Sequence, residues 1–195
     1  MKIAAALAFA AFASASIAGV EQPYAFRAEL ETVHERGLRD RNIVRAADEF
    51  AFADGAVISL PSGYDLLFRA AQDFADYLAV SQGVSVRVAL DKGDATLTLR
   101  LEDSLGGRSY EVKVTEKGVG IVAADERAAA QALYHLEDLM SLSRSPFLRY
   151  GTERRKAKYS PRMIHSGWGI DTFPENYLRR AVHQGFDAIL VFVKE

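Results

Sequence analysis

Adjacent carboxylates are the first residues in this chain whose type and spacing could do chemistry, because paired acids can serve as general acid and base. Four such pairs occur: Asp48-Glu49, Glu102-Asp103, Asp125-Glu126 and Glu137-Asp138. All fall where the sequence reads as linker, turn or helix, so solvated surface or helix caps are expected. His34, His135 and His183 share no spacing with one another that would build a metal site. His135, beside Glu137-Asp138 on a helix, is expected at the surface. No metal ligand set and no cofactor is expected. Gly167-Trp168-Gly169 lacks the third glycine and the context of a dinucleotide loop. There is no Gly-x-Ser-x-Gly elbow and no phosphate loop.

Composition narrows the partners. Of 195 residues, 49% are hydrophobic and 26% charged, with a formal charge of -2. A nucleic-acid binder usually carries a basic surplus, and this chain has none. The basic run Arg154-Arg155-Lys156-Ala157-Lys158 is short and is expected to be a solvated linker. Cysteine is absent, which excludes disulfides, thiolate nucleophiles and cysteine zinc sites.

The N-terminus has its own pattern. Met1-Lys2 gives a positive start, residues 3–12 are an unbroken apolar run, and residues 13–18 are small apart from Ile17. This is the layout of a secretory signal peptide over residues 1–18. Ser16-Ile17-Ala18 before Gly19 fits the cleavage rule, and a cut after Ala15 also fits. The run is shorter than the ~20 apolar residues that span a bilayer. Export to the bacterial envelope, periplasmic or secreted, is expected, with no membrane span after cleavage.

Residues 19–55 read as an extended, polar segment with at most one short strand. Residues 56–145 read as an α+β domain. Residues 56–60 form an apolar strand before Pro61-Ser62-Gly63, and Ser62 is placed to cap a helix over 64–80. Tyr64, Leu67, Phe68, Ala71, Phe74, Ala75 and Leu78 fall on one face of it. Residues 84–90 and 95–101 alternate cleanly, and residues 91–94 would join them as a hairpin. Residues 110–114 and 119–123 form a second hairpin. Asp125 then caps a helix over 126–142. The expected fold is a small, mostly antiparallel sheet covered by two helices.

Residues 146–160 read as a polar linker. From residue 161 the pattern changes to strand (162–166), helix (175–184, closed by Gly185) and a continuous apolar strand (186–193). A run apolar on both faces is expected to be buried on both sides. Strand, helix, strand makes one β/α unit, and a single unit does not close a core. A fragment of a larger protein, or a fold completed by a partner, is expected.

Three stretches carry a family likeness. They are residues 110–124, with Gly118 and Gly120 in the hairpin; residues 128–140, with Gln131, Tyr134 and His135; and Ser160-Pro161-Arg162-Met163-Ile164-His165-Ser166-Gly167, with Asp171 beyond. In this order and spacing the chain resembles the start of hexosaminidase-type glycoside hydrolases, family 20 and its relatives. The resemblance implies a small domain ahead of a (β/α)8 barrel, incomplete here at 161–195. It also implies a catalytic Asp-Glu pair after the fourth barrel strand, which would lie beyond Glu195. Members that bind N-acetylhexosamines have Pro-Arg-aromatic, two residues, then Arg-Gly. Here Met163 stands in the aromatic position and Ser166 in that of the second arginine. The same small domain also precedes barrels of other specificities, α-glucuronidases among them, so the sugar stays open.

In such a barrel, function sits at the C-terminal ends of the strands. The first end carries His165, Ser166, Trp168 and Asp171; the second carries Lys194 and Glu195. Trp168 could stack on a sugar face, Asp171 could bond sugar hydroxyls, and His165 could face the mouth. Each has a structural alternative: packing, capping and core. The expected ligand is a carbohydrate, with no catalytic residue in this chain. The rival reading is a non-catalytic carbohydrate-binding or envelope interaction module. The oligomeric state is not legible.

Overall fold

Alternating apolar residues fix the strands, and two amphipathic helices cover the face those residues dry out. The computed structural model describes residues 32–165 and 175–191; residues 1–18, read above as a signal peptide, lie outside them. In chain order come β1 (Glu49–Ala51), β2 (Val57–Leu60), α1 (Asp65–Tyr77), β3 (Arg87–Leu90), β4 (Leu97–Leu101), β5 (Ser109–Thr115), β6 (Gly118–Ala123) and α2 (Glu126–Ser143). They are followed by β7 (Phe147–Arg149), β8 (Gly151–Lys156), β9 (Met163–His165), α3 (Glu175–His183) and β10 (Ala188–Leu190). Among the described residues no helix is long and apolar enough to cross a membrane.

The main sheet has six strands in the order β3-β2-β4-β6-β5-β8. It is mixed, not mostly antiparallel as expected. The β3–β2, β2–β4 and β4–β6 pairs are parallel, and only β6–β5 and β5–β8 are antiparallel. The expected hairpin of β3 with β4 does not form, because β2 lies between them. All four residues of β2 are buried, which suits a central strand covered on both faces. The connection between β3 and β4 bonds back onto β2. Asp91 N–H donates to Leu60 O at 2.9 Å, Lys92 N–H to Ser59 Oγ at 2.9 Å, and Thr96 Oγ1 accepts from Val57 N–H at 3.2 Å. The β5–β6 hairpin forms as expected, with Val112 opposite Ile121.

Helices α1 and α2 pack on each other and on this sheet. Leu67, Ala71, Phe74 and Leu78 of α1 and Ala129, Ala132, Leu133, Leu136 and Met140 of α2 are all buried. Helix α1 passes into a single π-turn, Leu78–Gln82, and stops at left-handed Gly83. Ser62 does not cap α1: Tyr64 holds the cap position without a side-chain bond. The orphan donor at the start of α1 is met from the neighbouring helix, where Glu126 Oε2 accepts from Leu67 N–H at 3.2 Å. Asp125 caps α2 as expected, accepting from Ala128 N–H at 2.7 Å.

The segment read as a linker carries two strands. β7 pairs with β1, setting Leu148 opposite Phe50, and β8 forms the sheet edge beside β5. Every residue of β8 is exposed, so no apolar alternation marks it. A charged edge strand of this kind protects a sheet from further pairing. Its ion pair from Arg154 to Glu111 joins two register partners.

Beyond it, β9, α3 and β10 form the expected strand–helix–strand unit, with β9 parallel to β10. The second strand is shorter than its apolar run. Leu190 and Val191 are 44% and 45% exposed, so among the described residues it is not buried on both sides.

Gly118 opens β6 at φ 148, and a Cβ there would collide with the carbonyl oxygen of Thr96, just ahead of β4. Gly120 has ordinary room and no positive φ. Gly118→Ala is therefore expected to destabilise by more than about 1 kcal/mol. Gly120→Ala should leave stability unchanged or raise it. Urea unfolding midpoints of the two variants check the opposite signs.

Candidate functional site

Only one of the three expected sugar-binding residues falls within the described residues. His165 ends β9, exposed, opposite Leu190 of β10. Trp168 and Asp171 lie outside the described residues, as do Lys194 and Glu195.

Of the acid pairs, three behave as expected. Asp125 and Glu126 are caps. Glu49 bonds the nearby Ala46 N–H at the surface, at 2.8 Å. Glu102 bonds Ser104 Oγ at 2.7 Å, also at the surface. The fourth departs: Glu137 is buried. It sits one helical step from Leu133 and Met140, inside the apolar stripe of α2. His135 is buried too, 3.0 Å from Glu153 of β8. Its expected surface position is corrected by β8, which covers it and supplies a charge partner.

Glu137 belongs to a cluster that three helices and one loop segment build together. Asp73 comes from α1, Tyr134 and Glu137 from α2, Arg179 and His183 from α3, and His34 from the segment ahead of β1. Residues 179 and 183 stand one turn apart and so share a face of α3. His183 Nδ1 lies 2.8 Å from Glu137 Oε2, and His183 Nε2 donates to Asp73 Oδ2 at 2.5 Å. The His183 ring stacks on Tyr134, with centroids 4.0 Å apart. His34 Nε2 donates to the other oxygen of Asp73 at 3.3 Å, and Arg179 pairs with the same carboxylate. Tyr77 O–H donates to the backbone carbonyl of Glu137 at 3.1 Å and accepts from Gln82 Nε2 at 2.9 Å.

These groups shift one another's ionisation. Burial works to lower the His183 pKa, but its bonds to Asp73 and Glu137 outweigh that and lift it to about 9. Burial also works to raise Asp73. Bonds from His183, His34 and Arg179 outweigh it and hold this carboxyl well below the usual range. Glu137 is raised, because burial dominates over its bond to His183. Within this cluster two buried polar atoms, His34 Nδ1 and Glu137 Oε1, have no hydrogen-bond partner among the described residues. An orphaned buried atom of this kind costs on the order of 1–3 kcal/mol. One donor atom each from His34, Glu137 and His183 lies within 4.8 Å of the other two. Sequence spacing could not show this, since the three lie far apart along the chain. The signal that was available is the acid in the apolar stripe of α2.

A second concavity of about 360 Å³ lies between β8, α2 and the strand–helix–strand unit. Arg108, Arg127, Arg155, Lys156, Lys158 and Arg162 line it. Part of the basic run read as a linker thus faces a cavity able to take a hydroxyl-rich or anionic ligand. The Arg108 guanidinium pairs with Asp187 at 2.7 Å, and Asp187 also accepts from Arg162 N–H at 2.7 Å.

No protein-family model matches the chain, and no curated protein sequence does. Solved structures match its fold. A β-hexosaminidase of Streptomyces plicatus covers 62% of this chain at 20% identity and a TM-score of 0.53. A GH20 exo-β-N-acetylglucosaminidase of Vibrio harveyi covers 81% at 11% identity and a TM-score of 0.56. A GH115 4-O-methyl-α-glucuronidase with specificity for decorated arabinogalactans covers 74% at 10% identity and a TM-score of 0.56. The chain spans about a quarter of each of these proteins, 26% in all three cases. It therefore has the fold of a segment of GH20 hexosaminidases, a fold that the GH115 enzyme shares.

Asp73 holds three cationic or donor groups in place, and its side chain is 11% exposed. Asp73→Asn is expected to destabilise by on the order of 3 kcal/mol, because it strips a buried imidazolium of a counter-charge. Hydrogen exchange should accelerate first in α3 and β10, ahead of the β5–β6 hairpin. Equal acceleration everywhere would show that the cluster does not serve α3 in particular.

Proposed function

We propose that this chain is the leading part of an exported glycoside hydrolase, with an α+β accessory domain followed by the first β/α unit of a (β/α)8 barrel. The observation that carries this reading is the order of parts: a helix-covered mixed sheet, then a parallel strand–helix–strand unit. That order accompanies the fold likeness to GH20 and GH115 enzymes. Residues 161–195 form the beginning of the catalytic barrel in this reading.

Glycoside hydrolysis needs a protonated acid at the leaving oxygen. It also needs a second carboxylate or, in substrate-assisted families, the substrate's own acetamido group. The catalytic pair belongs to a later barrel strand. This chain supplies substrate contacts at the C-terminal end of β9, where (β/α)8 barrels bind their ligands. Trp168 stacks on a sugar face, Asp171 accepts from sugar hydroxyls, and His165 lines the mouth. Ser166 removes the arginine that family members use for N-acetylhexosamines, and the GH115 likeness supports a wider range of sugars.

The longest polypeptide that the gene encodes is expected to hydrolyse an aryl N-acetyl-β-hexosaminide or a glucuronide, while the 195-residue chain alone shows no turnover. In the active form, Trp168→Ala and Asp171→Asn should raise KM about tenfold or more, with a smaller change in kcat. Turnover by the 195-residue chain would overturn the assignment of its parts. Glycan binding without hydrolysis by the longest form would favour the rival binding module. The mature protein from the envelope fraction is expected to begin at Gly19, or at Ser16 after the alternative cut, which N-terminal sequencing reads directly.

A further inference from the structure

We propose that His34, Glu137 and His183 form a binding site for one divalent transition-metal ion of the zinc class, which ties α3 to α2 and to the segment preceding β1. This does not depend on the enzymatic reading, and each can fail without the other.

Three independent features point to the ion. First, donor atoms from three segments converge within 4.8 Å, on side chains that are only 4%, 7% and 14% exposed for His34, Glu137 and His183. Second, His34 Nδ1 and Glu137 Oε1 are buried and have no partner among the described residues. Each of these two residues thus keeps a buried atom able to ligate that no hydrogen bond among the described residues uses. Third, Asp73 engages Nε2 of both imidazoles, at 3.3 Å for His34 and 2.5 Å for His183. A carboxylate behind a histidine is the usual outer support of a metal-bound imidazole, because it fixes tautomer and ring direction. Here one carboxylate does so for two rings and leaves Nδ1 of each as the ligating atom.

The spacing fits. His183 Nδ1 lies 2.8 Å from Glu137 Oε2, and two ligands of a tetrahedral ion with bonds of ~2.0 Å stand ~3.3 Å apart. A small movement would bring this pair to that spacing, and His34, within 4.8 Å, would close the remaining distance. Arg179 pairs with Asp73, which leaves Glu137 as the anion facing the ion. Binding replaces the proton shared by His183 and Glu137 and releases it to solvent. A cavity lined by His34, Glu35, Ser141 and His183 adjoins the cluster and leaves room for a water as fourth ligand. Two imidazoles favour zinc, cobalt or nickel over magnesium and calcium, which take oxygen ligands.

The test uses tag-free mature protein after chelation and dialysis. Titration with ZnCl2, followed calorimetrically, is expected to give one site at micromolar affinity or tighter. CoCl2 should produce the visible absorption of a tetrahedral site that is lost on adding zinc, and MgCl2 should give no binding. Glu137→Gln and His34→Gln should each weaken zinc binding at least tenfold. His34 lies outside the helices and the main sheet, so its variant should fold where a His183 variant fails. Absence of stoichiometric zinc uptake by the folded wild-type protein overturns the proposal. So does uptake left undiminished in both variants.

Discussion

A charge removed from water must meet an opposite charge, and the placing of α3 on the rest of the molecule follows from that requirement. α3 contributes little apolar surface: Ala181 is its one buried residue among those described. What holds it are polar contacts. His183 sits between two carboxylates, Arg179 reaches Asp73, and Gln131 of α2 donates to the Val182 carbonyl at 3.0 Å. Such contacts add little net energy in proportion to their number, since desolvation offsets much of the attraction. They are demanding in geometry, however, and leave few alternative ways to dock the helix. α1 and α2 provide the rigid platform, with an apolar face toward the sheet and an acidic position each, Asp73 and Glu137, toward α3.

The parts that the sequence made legible are those whose side chains are locally periodic. Residues 110–114 and 119–123 alternate across a short turn, and they pair with each other. The helices showed their apolar stripes, and Asp125 its cap. Alternation, however, reports only that a strand has a dry face, not which strand lies beside it. That is why β3 and β4 read as a hairpin while the fully buried β2 takes the place between them. β8 was illegible for a different reason. An exposed edge strand has no dry face at all, and Gly151–Lys156 therefore looks like a connector.

The candidate site divides in the same way. His165, Trp168 and Asp171 stood out because they follow a strand and carry sugar-binding chemistry. Their role rests on their place in the proposed barrel, since a shared fold does not by itself carry an activity. The His34–Glu137–His183 cluster had no local spacing to announce it. Beside Asp138, Glu137 reads as one of the solvated acid pairs. Its place on the helix, between Leu133 and Met140, was the better guide. A carboxyl in an apolar stripe needs a partner from outside its own helix, and here the partner is His183.

The two regions are joined through α3. That helix lies in the chain between β9 and β10, and those strands pair directly. Whatever fixes α3 also limits how far the C-terminal end of β9 can move relative to the small domain. At the other end of the unit, Asp187 ties Arg108 to the Arg162 N–H just ahead of β9. The strand is thus held both before its first residue and across its parallel neighbour. Contacts to a sugar depend on placement to well under an ångström or two, and side chains on anchored elements keep it better than side chains on free loops. A polar dock with narrow geometry suits that purpose better than a larger apolar face, which tolerates sliding. On this argument Asp73 and buried Glu137 help to set the position of β9, the strand from which the proposed substrate contacts would begin.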